Sequence, residues 1–538
     1  MVTSRERRWI FFFAVVVMVV TSLPYLLGFA RQGSNWFFTG FFFGIEDGNS
    51  YIAKMLSGST GAWLFRSPYT AYPQSGFLAF FPYIFLGKLA SPPGLHEQLV
   101  ALFQLYRFLA GVFCIVAIYD FIAVFILDYR LRRLGTAIAA IGGGLGWLSI
   151  VGLGKLWQGG LPLEFYSPES FGFLSLLGLP HLAMARALLL WGLASYLKPV
   201  DQPVKYWKNV LLPGILWLLL GLMQPLAVAI GWVVLGSHLG LWGLFNYYHS
   251  RKGEFIDWSE WKEYFKRAIG MIFISSPIVI YTIISFMSDS YLKEWSRQNI
   301  ILSPPVLDYF LAYGLILPFA IAGIRSLMQE QKSKAYLIFG WLLLFPFLAY
   351  FPYNLQRRLP EAVWVSWVIL GMSSLVDKNR PFIRKISWLL YSTFIIPIIL
   401  LAGSIFTAIN PEKPIYIPKP EQDAFQYLAN HSNAGDVLLA SYETSNAAPA
   451  WAPVHTMIGH GPESIHLATL KPEVDTFFKP DTPDNIRLDL IKEFQIRFIL
   501  IGPPEKELGK WEPASGMNTS LVYDESGWKL YLVNQPKP

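Results

Sequence analysis

Two adjacent carboxylates, Glu46 and Asp47, follow a strongly apolar N-terminal stretch. A carboxylate in a partly dry cleft can act as a general base toward a hydroxyl, and a neighbouring carboxylate can tune its charge. The same residues also have a structural interpretation, since Asp47 and Asn49 can cap a helix beginning near Ser50. The pair is therefore a candidate for acid–base chemistry, with helix capping as the alternative.

A pair of adjacent arginines, Arg357 and Arg358, is the second candidate. The pair lies in a short polar loop between two apolar runs, and Gln356 before it can add a hydrogen bond. Guanidinium groups match phosphate oxygens in a bidentate geometry. The arginines therefore predict a site for the phosphate of a lipid, and anchoring to lipid headgroups is the alternative.

Six further polar or ionisable residues are candidates for a cleft, namely Tyr51, Arg107, Glu164, Glu169, His181 and Arg186. Ionisable groups at membrane depth usually face a cavity or each other. An arginine can instead extend to the interface, and a loop carboxylate such as Glu164 or Glu169 is more often solvated than bound to a metal or acceptor. Near the C-terminus, four residues of types that can bind zinc lie close together in the sequence: His455, His460, Glu463 and His466. Their spacing does not match a zinc site. The favoured interpretation is a loop followed by a helix start, and a role in acceptor binding is the alternative.

Membrane helices must position these residues, because the chain is 54% hydrophobic and only 15% charged, more apolar than ordinary soluble domains. A run of about 20 apolar residues crosses a bilayer core. The glycine-rich stretch 142–146 lies within one such run and is predicted to allow close helix packing. The sequence predicts about 11 spans, at 9–30, 99–127, 135–155, 179–197, 209–223, 226–245, 268–288, 305–324, 335–351, 361–376 and 386–408.

The distribution of charge predicts the orientation of these spans. Arginines before the first run keep the N-terminus cytoplasmic, and we expect that run to be an uncleaved anchor in the plasma (inner) membrane. The run 77–90 is too short to span and is predicted to be an interfacial or re-entrant helix outside. The inner loops then collect basic residues, as the positive-inside rule expects: Arg130, Arg132, Arg133, Lys198, Lys205, Lys208, Arg251, Lys252, Lys262, Lys266, Arg267, Arg325, Lys332, Lys334, Lys378, Arg380, Arg384 and Lys385.

The chain divides into a membrane domain, 1–410, with a long first external loop, 31–98, and an extracytoplasmic tail, 411–538. The tail holds 11 basic and 17 acidic residues, so the net charge of +7 reflects topology and predicts no nucleic-acid partner. Alternating patterns predict a small α/β fold, with helices at 421–430 and 484–494, strands at 436–440, 454–458 and 496–501, and a hairpin of 521–523 with 528–533.

This plan resembles that of GT-C-fold glycosyltransferases, which include protein O-mannosyltransferases and lipid A aminoarabinose transferases. The resemblance rests on the cytoplasmic N-terminus, the acidic motif Glu46-Asp47 after the first helix, the long first external loop, the many spans and the external C-terminal domain. It implies a mainly α, polytopic membrane protein with a small C-terminal α/β soluble domain. The Glu-Asp order differs from the Asp-Glu pair of mannosyltransferases, so both carboxylates stay candidates.

The resemblance implies a glycosyltransferase that moves a sugar from a polyprenyl-phosphate-linked donor to an extracytoplasmic hydroxyl acceptor, with inversion. By position, Asp47, followed by Tyr51, would be the base and Glu46 the second candidate, while Arg357 and Arg358 would hold the leaving phosphate. Members of the family differ in whether they need a divalent metal, so the resemblance allows a divalent metal without requiring one. It implies no other cofactor. One alternative is a transporter or lipid flippase, but the sequence shows no duplicated halves and little charge at the membrane midplane. The other alternative is a non-enzymatic envelope scaffold.

Overall fold

The computed structural model describes residues 2–198, 207–377, 380–514 and 517–534. Two basic residues of the predicted inner loops, Lys205 and Lys378, lie outside the described residues. The helices up to residue 410 are α1 (Ser4–Arg31), α2 (Ile45–Ser59), α3 (Phe81–Gly87), α4 (Leu95–Phe125), α5 (Tyr129–Ile141), α6 (Gly172–Gly178), α7 (Pro180–Tyr196), α8 (Leu212–Met223), α9 (Pro225–Arg251), α10 (Ser259–Ser288), α11 (Ser290–Gln298), α12 (Val306–Tyr313), α13 (Leu317–Glu330), α14 (Lys332–Ala349), α15 (Val363–Val376), α16 (Pro381–Ile386) and α17 (Ile395–Ile409).

Later helices alternate with short strands. Strand β1 (Trp36–Phe38) belongs to the first loop. The elements of the tail are β2 (Tyr416–Pro418), α18 (Lys419–His431), β3 (Val437–Leu439), α19 (Tyr442–Ala447), β4 (His455–Thr456), α20 (Leu467–Phe477), α21 (Asp484–Glu493), β5 (Ile496–Ile501), α22 (Pro503–Leu508), β6 (Thr519–Glu525) and β7 (Trp528–Val533).

The prediction of a mainly helical, polytopic membrane protein is confirmed. Among the described residues, six segments are long and apolar enough to cross a membrane, or up to seven if α12 and α13, which meet at a 72° bend, form one span. Several of the remaining predicted runs form shorter apolar helices, such as α8 and α15. The six segments are Ser4–Arg31, Leu95–Phe125, Pro225–Arg251, Ser259–Ser288, Lys332–Ala349 and Pro381–Ile409.

The predicted run 135–155 is not one continuous helix. Helix α5 ends at Ile141, and the glycine-rich stretch after it is irregular before a short 3₁₀ turn at Gly146–Ser149. The stretch is therefore not part of a membrane helix, but its glycines do allow close packing, because a Cβ atom at Gly144 would collide with the backbone oxygen of Ala312 in α12. Their backbone amides serve a buried carboxylate, as described below.

The chain divides into two compact units, and the first comprises residues 1–23, 106–283 and 301–403. It is built from packed helices, including α7 against α8, α9 against α14 and α13 against α15. The closest approach of α13 to α15 depends on Gly323, because a Cβ atom there would collide with the carbonyl oxygen of Leu370. Small residues at such crossings let two helix backbones approach each other.

The second unit comprises residues 24–105, 284–300 and 404–538. Strand β1 pairs antiparallel with β2, which ties the first loop to the start of the tail. The tail sheet has the order β4-β3-β5-β7-β6, with parallel pairing of β3 to β4 and β5 and antiparallel pairing of β7 to β5 and β6. The predicted helices, strands and hairpin of the tail are thus confirmed within a few residues at their ends.

Inside the second unit, the first loop folds against the tail and α11. Helix α3 falls within the predicted helical run 77–90 and packs on α2. An apolar cluster joins first-loop residues, α11 and the tail next to the polar groups described below: Phe65, Phe77, Ile84, Tyr291, Leu292 and Ile465. This cluster fixes the position of the tail segment 460–466 on the first loop.

Candidate functional site

The acidic pair lies in the first turn of α2. Gly44 precedes the helix with left-handed backbone angles (φ 59°, ψ 57°), a conformation that glycine adopts without steric cost. Glu46 and Asp47 follow in the first turn, where negative charge interacts favourably with the helix dipole. The predicted helix start near Ser50 is therefore wrong, and Gly44, not Asp47, is the N-cap residue.

Asp47 contacts a histidine of the tail. The Oδ1 atom of Asp47 lies 3.1 Å from Nε2 of His460, and the exposed fractions of the two side chains are 52% and 11%. The turn that carries His460 is held in place because the backbone amides of Gly459 and His460 both donate to the hydroxyl of Ser464. A half-exposed carboxylate is thus joined to a nearly buried imidazole.

The other nitrogen of His460 faces a second, buried carboxylate. Nδ1 lies 3.4 Å from Oε1 of Glu463, whose side chain is 4% exposed. The ammonium of Lys54 donates to the same oxygen at 2.7 Å, and the hydroxyl of Ser50 donates to it at 3.1 Å. The hydroxyl of Ser67 donates to Oε2 at 3.2 Å, so both oxygens of Glu463 have partners.

Burial and charge act in opposite directions on these three ionisable groups. Burial alone would raise the pKa of Glu463, but Lys54 and His460 bring that pKa below its ordinary value. Burial lowers the pKa of Lys54, and the attraction of Glu463 offsets only part of this effect. Burial also acts to lower the pKa of His460, but the carboxylates of Glu463 and Asp47 raise it above its ordinary value.

Glu46 is exposed and has looser contacts. The hydroxyl of Tyr442 donates to its carboxylate at 3.4 Å, and the same hydroxyl accepts from the backbone amide of Gly461 at 2.9 Å. Asn446 ties the start of α2 to the tail, since its amide group donates to the backbone oxygen of Glu46 and accepts from Asn49. The two neighbouring carboxylates therefore have different partners, because Asp47 contacts the imidazole of His460 and Glu46 contacts the phenol of Tyr442.

Tyr51, the residue noted after the acidic pair, lies in an aromatic stack. Its ring is nearly parallel to that of Tyr83 at a centroid distance of 4.5 Å and to that of Phe103 at 6.0 Å. The side chain is buried. Tyr51 thus packs behind the polar group and supports α2.

The arginine pair belongs to the first unit and lies in a 3₁₀ turn, Gln356–Arg358. The guanidinium of Arg357 lies 4.6 Å from the ring centroid of Tyr166. Nε of Arg358 lies 3.6 Å from Oε1 of Glu169, and the Arg358 side chain is 37% exposed. Within the part of the chain that the structure describes, the Nε atoms of both arginines have no hydrogen-bond partner.

Gln356 has a structural contact within the same unit. Its side-chain oxygen accepts from the backbone amide of Ser303 at 3.3 Å. The backbone of the turn is also tied to this segment, since the amide of Arg357 donates to the carbonyl of Ile301. Gln356 therefore helps to hold the arginine turn in place.

Arg186 and Glu169 are also brought together in the first unit. Arg186 forms a buried ion pair with Glu361 at 2.8 Å and donates to the backbone oxygens of Pro168 and Glu169. The Glu169 side chain is buried, so the expectation of a solvated carboxylate is wrong here, and it points toward Arg358. Two cations and two carboxylates thus alternate in this group, and the structure connects the arginine turn to the predicted cleft residues through Glu169.

Glu164 is fully buried, although the sequence favoured solvation for a loop carboxylate. Its Oε1 atom accepts from the backbone amides of Gly144 and Gly146 at 3.1 and 2.8 Å. A Cβ atom at either glycine would lie within 3 Å of the carboxylate, so the glycine-rich stretch makes room for Glu164. Burial raises the pKa of Glu164 to about 7, against the opposing effect of the backbone hydrogen bonds.

Arg107 and His181 have separate positions in the first unit. Arg107 is buried and donates to the hydroxyls of Thr21 and Ser22 and to the carbonyl of Leu176. His181 is the second residue of α7 and is partly exposed. The contacts of Arg107 join three segments of the chain, which is a structural role.

The tail residues His455, His460, Glu463 and His466 do not form one cluster. His455 contacts the carbonyl of Thr70, and His466 lies 3.7 Å from Glu294. Over the described ranges, no group of three or more His, Cys, Asp or Glu side chains is arranged to hold a metal ion. We therefore assign no metal site to these residues.

Sequence reasoning missed Lys54 and gave His460 and Glu463 too little weight. Asp47, Ser50 and Lys54 have the spacing i, i+3 and i+7, which places them along one face of a helix. A lysine on the same helix face as an acidic pair is a readable signal. The partners from the tail carry no such signal, because His460 is 413 residues away from Asp47 in the sequence.

No protein-family model matches the sequence, and no curated protein matches it significantly. Solved structures are similar in fold. ArnT from Cupriavidus metallidurans in the apo state has a TM-score of 0.53 at 12% identity, covering 99% of this chain and 100% of that chain. The same protein bound to undecaprenyl phosphate has a TM-score of 0.50 at 12% identity, covering 97% and 99% of the two chains.

Two further structures support the same fold. The apo oligosaccharyltransferase of Archaeoglobus fulgidus has a TM-score of 0.53 at 12% identity, covering 93% of this chain and 70% of that chain. Arabinofuranosyltransferase AftD from Mycobacteria has a TM-score of 0.54 at 12% identity, covering 98% of this chain but 40% of the longer AftD chain. All three proteins are GT-C-fold membrane glycosyltransferases, and the chain described here is an integral membrane protein with that fold.

Proposed function

We propose that this protein is a glycosyltransferase that uses a polyprenyl-phosphate-linked sugar as donor and an extracytoplasmic hydroxyl group as acceptor. The observation that carries the proposal is the Asp47 carboxylate, which is half exposed and contacts His460 at 3.1 Å. Its Oδ1 atom is held by a partner while the side chain stays accessible to a substrate. A positioned carboxylate of this kind suits a general base.

The fold supports the choice of reaction class. Three neighbours of the same fold are glycosyltransferases, and one of them is bound to undecaprenyl phosphate in its structure. We therefore propose a donor of the same chemical class for this protein. The sugar and the acceptor are not specified by these similarities.

In the proposed reaction, the Asp47 carboxylate takes the proton of the acceptor hydroxyl. The hydroxyl oxygen forms a bond to the anomeric carbon of the sugar from the side opposite the phosphate. The bond between that carbon and the phosphate oxygen breaks, and its electron pair leaves with the lipid phosphate. The configuration at the anomeric carbon is inverted, and the products are the glycosylated acceptor, the lipid phosphate and a proton on Asp47.

Arg357 and Arg358 are the proposed ligands of the donor phosphate. Their Nε atoms lack hydrogen-bond partners within the described ranges, and the neighbouring Glu169 lies at 3.6 Å, beyond a close ion pair. A phosphate oxygen forms shorter, charge-assisted hydrogen bonds with guanidinium groups. Support for this role comes from the incomplete pairing of the two cations.

The test of the base is Asp47→Asn. The amide preserves the size of the side chain but cannot accept a proton at neutral pH, and a positioned acid–base group contributes roughly 10²- to 10⁴-fold in rate. We expect transfer to fall by that factor, with folding unchanged. The purified protein would be supplied with a panel of undecaprenyl-phosphate sugars and membrane glycans, and release of undecaprenyl phosphate would be measured.

Glu46→Gln is the matched control for this experiment. It changes the neighbouring carboxylate, which contacts Tyr442 and not His460, so we expect activity within a few-fold of the unmodified protein. A large loss only in Glu46→Gln would transfer the role of base to Glu46. Full activity in both variants would exclude a base at this position, and absence of transfer by the unmodified protein would favour a transporter.

The proposed orientation places the N-terminus inside and residues 411–538 outside. It is supported by the basic residues collected in the predicted inner loops. Replacing the single cysteine, Cys114, by serine allows a new cysteine to be placed at exposed positions of the tail, such as Ser526. We expect a membrane-impermeant maleimide to label Ser526→Cys in intact cells, and labelling only after permeabilisation would contradict this orientation.

A further inference from the structure

His460 lies between two carboxylates that come from different parts of the second unit. Nε2 is 3.1 Å from Asp47 Oδ1, and Nδ1 is 3.4 Å from Glu463 Oε1. A neutral imidazole carries one N–H donor and one nitrogen lone pair, whereas an imidazolium presents N–H groups on both sides. In a neutral ring, one lone pair would face a carboxylate, so this geometry favours the protonated ring.

The remaining charged groups around His460 are consistent with a cation at this place. The titratable side chains around His460 and its two partners include Glu46, Asp47, Lys54, Tyr69, Tyr291, Tyr442 and Glu463. The ammonium of Lys54 opposes a second positive charge, but it is paired with the same oxygen of Glu463 that faces His460. Three carboxylates thus accompany one ammonium group in this region, and their excess negative charge favours a positive charge on His460.

The contact with His460 restricts the orientation of the Asp47 side chain. A carboxylate in the exposed first turn of a helix has several accessible side-chain rotamers, and water competes for its oxygens. The contact with His460 selects one of them. His460 in turn lies next to Glu463, in a charge contact in which Nδ1 makes no hydrogen bond to the described residues. The oxygens of Glu463 are held by Lys54, Ser50 and Ser67, so the chain of contacts runs from an accessible carboxylate to a buried cation.

We propose that His460 is a positioning residue, an imidazolium clamped between Asp47 and Glu463 that orients the Asp47 carboxylate toward the acceptor. This inference rests on the proposed function for its catalytic meaning. The clamp itself is a property of the folded protein and can be measured without any substrate. His460 keeps its protons throughout the reaction, and the proton of the acceptor moves only to Asp47.

The first measurement is the titration of His460 by NMR in the full-length protein, labelled with ¹⁵N-histidine and held in lipid nanodiscs. The His460 signals are assigned by their loss in His460→Gln. We expect both nitrogens to show imidazolium shifts up to a higher pH than in a free histidine. We also expect Asp47→Asn and Glu463→Gln each to move the titration to lower pH, because each removes a negative charge that stabilises the protonated ring.

The second measurement is kinetic and uses the transfer assay. A displacement of about 1 Å of a reacting group can cost about 10²-fold in rate, so we expect His460→Gln to lower kcat by about that factor. KM should change by no more than a few-fold, and the pH profile of kcat should change because the positive charge next to Asp47 is lost. A residue that only stabilises the fold would lower the melting temperature and leave the pH profile unchanged.

His431→Gln is the matched control. That histidine is exposed and contacts the carbonyl of Tyr427 in its own helix and the ring of that tyrosine, so neither the His460 titration nor kcat should change. The inference is overturned if His460 titrates below a free histidine, or if its titration is the same in Asp47→Asn. The titration needs no substrate. If His460→Gln fails to fold, the other seven of the 8 histidines are replaced one at a time, and the His460 signal is assigned by elimination.

The two proposals fail in different ways. A His460 titration that depends on Asp47, in a protein with no transferase activity, would retain the clamp and reject the proposed function. A protein in which Asp47→Asn abolishes transfer but leaves the His460 titration unchanged would retain the function and reject the clamp.

Discussion

Buried carboxylates in the two units differ in how many hydrogen-bond partners their oxygens have. In the second unit, Glu463 is paired with Lys54 and faces His460, and each of its oxygens accepts a hydrogen bond. In the first unit, the buried carboxylates of Glu164, Glu169 and Glu361 each keep one oxygen without a hydrogen-bond partner among the described residues. Glu463 is therefore fully partnered, whereas each of these three carboxylates has one oxygen left without a hydrogen bond in the part of the chain that the structure describes.

This difference indicates different uses of similar residues. A fully partnered carboxylate such as Glu463 holds its neighbours in one geometry, which suits the orientation of a general base. The incompletely partnered group around Arg358 and Glu169 can exchange contacts when an anion binds, because little hydrogen bonding must be given up. The contrast supports rigid positioning at Asp47 and ligand binding at the arginine turn.

The largest effect is expected from breaking the balanced pair. Lys54→Met leaves Glu463 as a buried carboxylate without its ammonium partner, and removal of one member of a buried pair typically costs about 3–5 kcal/mol. We expect a loss of this size in the free energy of unfolding, measured by denaturant titration in detergent. The pH is held at neutrality so that Glu463 stays ionised.

The double variant Lys54→Met with Glu463→Gln is the control for this prediction. It removes both charges together, and replacing a whole buried pair is far less costly than breaking it. We therefore expect the double variant to recover most of the lost stability. Equal stability of Lys54→Met and the unmodified protein would mean that the pair contributes no charge balance.

An intermediate effect is expected from the pH dependence of stability, with opposite signs in the two regions. The pKa of Glu164 is raised from 4.5 to about 7, so the folded state binds this proton more tightly and loses stability as the pH rises through that window. A pKa difference of one corresponds to about 1.4 kcal/mol, so the loss in the free energy of unfolding has an upper limit of about 3 kcal/mol. Glu164→Gln should remove this decline between pH 4.5 and 7.

Glu463 should change the stability with pH in the opposite direction. Its pKa is lowered in the folded protein, so its contribution to stability is present above pH 4.5 and is lost as the pH falls below that value. Glu463→Gln should weaken the acid-induced loss and leave the decline between pH 4.5 and 7 in place. Thermal melting at a series of pH values tests both variants, and identical profiles for the two would remove the distinction between the regions.

The smallest effect is expected at the arginine turn. Replacing both Arg357 and Arg358 by alanine should weaken binding of undecaprenyl phosphate by more than the ~1 kcal/mol typical of exposed pairs, because partly buried cations are less screened by water. Binding would be measured by the quenching of tryptophan fluorescence on titration with the lipid. Glu169→Gln should not weaken binding, since it removes a competitor for Arg358.

The matched control for the arginines is the exposed pair Arg384 and Lys385. Alanine at both positions removes the same number of charges from helix α16 and should leave the affinity unchanged. Equal losses in the two double variants would reduce Arg357 and Arg358 to general attraction of anionic lipid.

The sequence predicted more of the fold than of the sites. Hydropathy located the apolar helices and alternation located the tail elements, because both patterns depend on neighbours along the chain. The glycine-rich stretch 142–146 was misassigned for the same reason, since its apolar composition hides the role of two backbone amides. Glu164 was expected to be solvated because a loop position gives no information on burial.

By itself, the sequence determined that this chain is a helical membrane protein with an α/β tail, and it placed an acidic pair after the first span. Only the tertiary structure decided which partners that pair receives. The fold brings His460 to Asp47 and Glu463 to Lys54 across more than 400 residues. Local periodicity cannot specify such pairs, because the free energy of a buried charge depends on groups that meet only after the chain has folded.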